Sequence, residues 1–157
     1  VPAKSRRTLN IATDGVADRW DVSTMLDSDQ PVIAERAMYW NGKQGGHDAH
    51  GQRHPNFESY LAEGCTAGGF ETWVLLQNPG EEDVTAYVTY QTAEGAVERE
   101  PLLLEAGSRF SINVGLDVGE TWEVSTLVRS TAAIVVEHAV YWNGKTEGTC
   151  STGFAKM

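Results

Sequence analysis

The densest set of side chains able to do chemistry is "GGHDAHGQRH", which places His47, Asp48, His50 and His54 in one short polar segment. Imidazoles at i, i+3 and i+7 beside a carboxylate offer neutral nitrogens and an oxygen to zinc or nickel, and a glycine-rich loop can bend them onto one ion. The chain, however, carries the surrounding sequence twice. "ERAMYWNGKQGGHDAHG" begins at Glu35 and "EHAVYWNGKTEGTCSTG" begins at Glu137, 102 positions later, with Thr149, Cys150 and Thr152 standing where His47, Asp48 and His50 stood. A metal is therefore not needed to build the unit. The expected state of the cluster is a solvated loop, with no cofactor.

Glu35 and Glu137 sit between apolar residues two positions away, Ile33 and Ala37 around one, Val135 and Ala139 around the other. A carboxylate on such a face is costly unless paired. Arg6 and Arg109 begin a nearby stretch in each copy, so an Arg6 to Glu35 and an Arg109 to Glu137 ion pair are expected. A catalytic carboxylate would need a second acid at a fixed spacing, and none occurs. "NGKT" at Asn143 to Thr146 ends like a phosphate-binding loop, but Ala139 stands where its first glycine belongs. Asn41-Gly42 and Asn143-Gly144 read instead as hairpin turns. No Gly-x-Ser-x-Gly elbow and no ordered Ser/His/Asp set appears, so no enzyme is expected. Among the aromatics, Trp20 and Trp122 precede equivalent strands and read as sheet-end packing. Neighbouring strand residues point to opposite faces, so one member of each pair, Tyr39-Trp40 and Tyr141-Trp142, should face outward as a platform for a sugar ring or another protomer.

The elements that would carry these residues read as β throughout. "VTAYVTY" sets Val84, Ala86, Val88 and Tyr90 against Thr85, Tyr87 and Thr89, and "RFSINV" sets Phe110, Ile112 and Val114 against Ser111 and Asn113. Further strands are expected in "FETWVLLQN", "AVEREPLLL", "EVSTLV" and "AAIVVEHAVYW", separated by Asn78-Pro79-Gly80, Glu94-Gly95, the run Gly115 to Gly119, and Asn143-Gly144. Short strands with polar turns predict an antiparallel, immunoglobulin-like β-sandwich over residues 55–157. Walking outward from the repeated segment, "KSRRTLNI" at Lys4 matches "GSRFSINV" at Gly107, and "RWDVSTML" at Arg19 matches "TWEVSTLV" at Thr121. Residues 1–54 thus correspond to the C-terminal half of such a unit, with strands "RRTLNIA", "DVSTMLD" and "PVIAERAMYW". A three-strand half unit leaves Leu9, Ile11, Val22, Val32 and Met38 in need of cover, each exposed Å² costing about 25 cal/mol. The cover would be the complete unit, a second copy of the chain, or a neighbouring repeat of a longer protein.

A net charge of −10 argues against nucleic acid as a partner. No apolar run reaches the roughly 18 to 20 residues that cross a bilayer as a helix, and "VPAKSRRTLN" lacks the apolar core of a secretion signal, so an exported form would have lost its signal. Cys65 and Cys150 permit one disulfide or two thiols.

The segments "YLAEGCTAGGFETWVLLQNPGEEDVTAYVTY", "EAGSRFSINV", "WEVSTLV" and "AIVVEHAVYWNGK" together resemble a tandem β-domain of bacterial and archaeal cell-surface and secreted proteins. The resemblance spans essentially the whole chain. It implies an extracellular, repeat-built module. Together with the composition and the half unit, the expectation is a non-catalytic structural or adhesive module, self-associating or joined to neighbouring repeats, with glycan binding through exposed Tyr and Trp, or a metal held by the histidine segment, as the alternatives. Against the family pattern, Cys65 and Cys150 both occupy unusual positions in the same unit, which implies a disulfide joining its entry to its exit.

Overall fold

The computed structural model describes residues 1–15, 19 and 21–155. In chain order, a one-turn helix α1 (Ile11–Asp14) precedes a hairpin of β1 (Glu35–Trp40) and β2 (Gly45–His50). The body of the fold follows: β3 (Asn56–Leu61), β4 (Glu71–Gln77), β5 (Val84–Thr92), β6 (Gly95–Glu98), β7 (Leu102–Leu104), β8 (Arg109–Asn113), the short helix α2 (Val114–Val118), β9 (Val124–Trp142), β10 (Glu147–Thr152) and β11 (Phe154–Ala155). It is an all-β, sandwich-like fold of antiparallel strands.

The organising element is β9. Its first part pairs with β3 and β5, its second with β4 and β10, so one strand serves both layers. The register against β3 shifts between Asn56 and Glu58, and Thr131 and Ala132 are open to water where β9 passes from one layer to the other. Alternation does the rest. Val74 and Leu76 of β4 face Val84, Ala86, Val88 and Tyr90 of β5, and Ile112, Val128, Ile134 and Val136 fill the space between them. "AVEREPLLL" is not one strand but two, β6 and β7, because Pro101 has no N–H to give a ladder. The "QNP" turn is a clamp: the buried Asn78 amide donates to the carbonyls of Glu82, Leu104 and Glu105 while its oxygen accepts from Gly80 N.

The N-terminal half unit departs from the expectation. Among the described residues before Glu35 there is no strand, and "RRTLNIA" and "DVSTMLD" are not laddered to anything. Only local features of the repeat recur. Asn10 caps α1 through Ala12 N as Asn113 caps α2 through Gly115 N. The hairpin turns also match, with positive φ at Asn41, Gly42 and Lys43 and again at Asn143, Gly144 and Lys145. Structures that need only neighbours in sequence form in both copies. Strands need partners: β8 exists against β4, and the start of β9 against β3 and β5, and the described residues among 1–34 pair with no counterpart of those.

His138 illustrates how the sandwich treats a polar group in its core. It is 6 % exposed, with Ser151 Oγ 3.3 Å from Nδ1, and burial lowers its pKa in spite of Glu63 nearby. Burial, and then the Arg36 guanidinium, lower that of His47. A histidine whose folded pKa lies below the unfolded value of about 6.5 binds fewer protons folded than unfolded. Its contribution is therefore complete above that pH and is lost as pH falls toward the folded pKa. The urea midpoint is expected to fall between neutral pH and mildly acid pH, with a shallower slope in His138→Leu. A level midpoint, or an unchanged slope in the variant, refutes this.

Candidate functional site: a hairpin contact and an aromatic cleft

The residues singled out by sequence fall into two places. The first is the contact between the β1–β2 hairpin and its own later copy. Ala139 and Tyr141 of β9 share a face with Glu137 and with Cys150 of β10, and β2 lies beside β10 there. Arg36 forms an ion pair with Glu137, Trp40 Nε1 donates to Lys145 O, and His47 Nε2 lies 3.2 Å from Tyr141 Oη. The rings of Trp40 and Tyr141 meet edge to face at 5.5 Å, and those of Trp40 and His47 at 5.3 Å. Trp40, Tyr141 and His47 are therefore committed to one another.

This contact corrects three expectations. Glu137 is paired, but with Arg36 of the earlier copy and not with Arg109: across β4, Glu137 faces Leu75 and then Ser111, and Arg109 lies two residues further along, where it binds Asp21. Arg6 donates to Thr8 Oγ1, and Glu35 is exposed opposite His50, with no ion pair among the described residues. The disulfide is absent, and both cysteines are free. Cys150 Sγ lies 3.3 Å from Asp48 O on the hairpin side, whereas Cys65 N donates to Thr72 Oγ1, and Thr72 faces Val140. Cys150 faces Ala139, so alternation puts the sheet between the two thiols. Burial raises the Cys150 thiol.

The histidine segment is strand, not loop. His47 points to Tyr141 while Asp48 and His50 take the other face of β2, and His54 beyond it is exposed, its carbonyl accepting from Asn56 Nδ2 at 3.0 Å. Among the described residues no three His, Cys, Asp or Glu side chains converge on a point.

The second place was not legible in advance. A cleft of about 690 Å³ opens where the β3–β4 connection meets the turn before β9, within the roughly 300–1,000 Å³ range of small-ligand sites. Phe70 and Trp142 stack along it, with centroids 5.7 Å apart and planes 26° from parallel. Trp142 is held from behind by Glu147, which accepts its indole N–H. Trp122, expected to pack at a sheet end, is 69 % exposed. It is nonetheless placed: a Cβ on Gly68, whose φ is +61°, would sit 2.5 Å from Trp122 Cη2, so only glycine lets the indole lie there. Trp20, its counterpart, lies outside the described residues.

The "AEGCTAGGF" stretch builds this cleft. Thr66 Oγ1 donates to Gly119 O and accepts from Thr121 N, while Thr66 N and Ala67 N both donate to Thr121 O. Gly64 O accepts from Val124 N at 3.0 Å, and a Cβ on Gly64 would strike Val124 at 2.9 Å. Both walls are thus fastened to each other by backbone, and the aromatics stand on a fixed frame. Of the four stacking candidates only Trp142 reaches the cleft. Tyr39, 65 % exposed, stands on the hairpin away from it, against Gly46.

No family model matches the chain, and no curated protein does. Among solved structures the fold is similar to the crystal structure of Thermotoga maritima 1070, at 13% identity and a TM-score of 0.58, over 65% of this chain and 96% of that one. The Anabaena sensory rhodopsin transducer aligns at 20% identity and a TM-score of 0.48, over 54% of this chain and 95% of its own. At such identity the first of these likenesses establishes a shared fold and nothing about activity.

Proposed function

We propose that this chain is a non-catalytic, structural and adhesive module of a cell-surface protein, built from immunoglobulin-like sandwich repeats, and that its half unit associates with that of a second copy. The observation that carries this reading is a contrast between the two copies. Ile112, Val114, Leu127, Val128 and Ile134 are buried, whereas Leu9, Ile11, Met25, Leu26 and Val32 at the matching positions are exposed. Next to them Ile33 is 90 % exposed. Apolar side chains concentrated in one segment mark an association surface rather than ordinary scatter. The extracellular setting rests on the sequence resemblance.

Sedimentation velocity over a range of micromolar concentrations tests the association. A reversible shift from monomer toward dimer is expected, lost when Leu26 and Ile33 are both replaced by serine. A single monomeric species at every concentration overturns the reading.

A further inference from the structure

We propose that the cleft between the 62–70 connection and the turn before β9 binds a neutral oligosaccharide, with Trp122 as the stacking platform. The argument starts from charge. Glu63 and Glu123 line the cleft, and among the described residues no Lys, Arg or His does. Phosphate, sulfate and uronic acids would meet two carboxylates and no described cation there, in a chain already at −10. What two carboxylates and a set of amide and hydroxyl groups accommodate is a ligand rich in hydroxyl donors, each able to give a charge-assisted hydrogen bond.

The remaining polar groups have the complementary capacity. Gln91 Oε1 accepts from Ser125 Oγ at 2.8 Å, which fixes the amide and leaves its NH₂ to donate. Thr149 adds a hydroxyl able to donate and accept, whereas that of Thr92 is engaged within its own turn by Gly95 O and Glu94 N. The aromatic part completes the match, because a pyranose presents apolar C–H faces as well as hydroxyl edges. Trp122 offers a broad exposed ring on a fixed support, and the Phe70–Trp142 pair supplies a second apolar wall. An aromatic cage for a quaternary ammonium needs rings turned toward one point. Phe70 and Trp142 lie nearly parallel and spend a face on each other, so they do not form one. The site is independent of the hairpin contact and of the half unit.

The test is affinity electrophoresis of the full chain through gels containing β-1,3-glucan, β-1,4-glucan, mannan or xylan, with alginate and choline chloride as the anionic and cationic arms. At least one neutral polysaccharide is expected to retard the chain, with Trp122→Ala weakening the interaction about tenfold or more and Tyr39→Ala leaving it unchanged. Because Trp122 is largely exposed, its variant should keep the unfolding midpoint of the parent, which is measured alongside. No retardation by any neutral polymer, equal retardation of Trp122→Ala, or a preference for alginate or choline overturns the proposal.

Discussion

Replacing Asp117 by alanine should destabilise the fold by about 2 to 3 kcal/mol and lower its melting temperature by on the order of 10 °C. Tyr90 has no exposed surface, and its hydroxyl donates to Asp117 Oδ2 at 2.7 Å. Arg99 Nη1 reaches both oxygens of the same carboxylate. One side chain of α2 thereby ties β5 to the segment after β6. Burial, and then the Asp117 hydrogen bond, push the Tyr90 hydroxyl far up, so it stays a donor at any ordinary pH. Without the carboxylate, a donor inside the core and a guanidinium beside it lose their acceptor together. A fully buried pair broken in this way costs about 3 to 5 kcal/mol. Here Arg99 remains partly open, with 26 % of its side chain exposed, and water recovers part of that cost. Asp117→Asn keeps one acceptor and should cost less. As a contrast, Glu71→Gln breaks the exposed pair with Lys145, worth about 0 to 1 kcal/mol. Equilibrium urea unfolding decides it: a loss under about 1 kcal/mol in Asp117→Ala would show that the network is dispensable.

The parts of this fold that the sequence announces are those whose information is local. β5 alternates cleanly because each of its faces meets a different environment, and the Asn-Gly turns demand positive φ that few residues accept. β2 was unreadable for the opposite reason. Gly45, Gly46, His47, Asp48 and His50 carry no apolar alternation, and the strand is held by its backbone register with β1. β3 hides its pattern by burying Ser59 beside Leu61 while leaving Phe57 exposed. The Glu137 ion pair was legible as a need but not in its partner. Burial of a carboxylate can be read from its neighbours, whereas the guanidinium that answers it comes from the other copy, brought there by a contact between hairpins. The cleft lies deeper still. Trp122 reads as a packing residue until Gly68 is seen beneath it, and the two come from connections distant in sequence that are tied by Gly64, Thr66 and Ala67 to Gly119, Thr121 and Val124. The strands expected before Glu35 show the converse error. Their alternation is genuine, but a ladder is a property of two segments, and one of them is missing from the reach of residues 1–34.

If that is the reason, supplying the missing partner should restore the strands. A chain in which residues 55–106 are duplicated ahead of Val1 would contain two complete units, the first formed from the added segment and residues 1–54. Residues 5–34 should then become as protected from hydrogen exchange as β8 and β9 are, a gain of roughly a thousandfold or more, corresponding to about 4 kcal/mol of local stability. The expectation follows position by position. Leu9 and Ile11 would enter the core places held by Ile112 and Val114 against the added counterpart of β4, and Met25 and Leu26 those of Leu127 and Val128 against the counterparts of β3 and β5. α1 would take the setting of α2, with Asp14, four residues after its cap Asn10 as Asp117 is after Asn113, standing in the place of Asp117 to receive the added counterparts of Tyr90 and Arg99. Exchange in residues 5–34 that stays at the rate of open chain, with the second unit intact, would mean that these segments have lost the ability to pair and that their likeness to the later copy is confined to sequence.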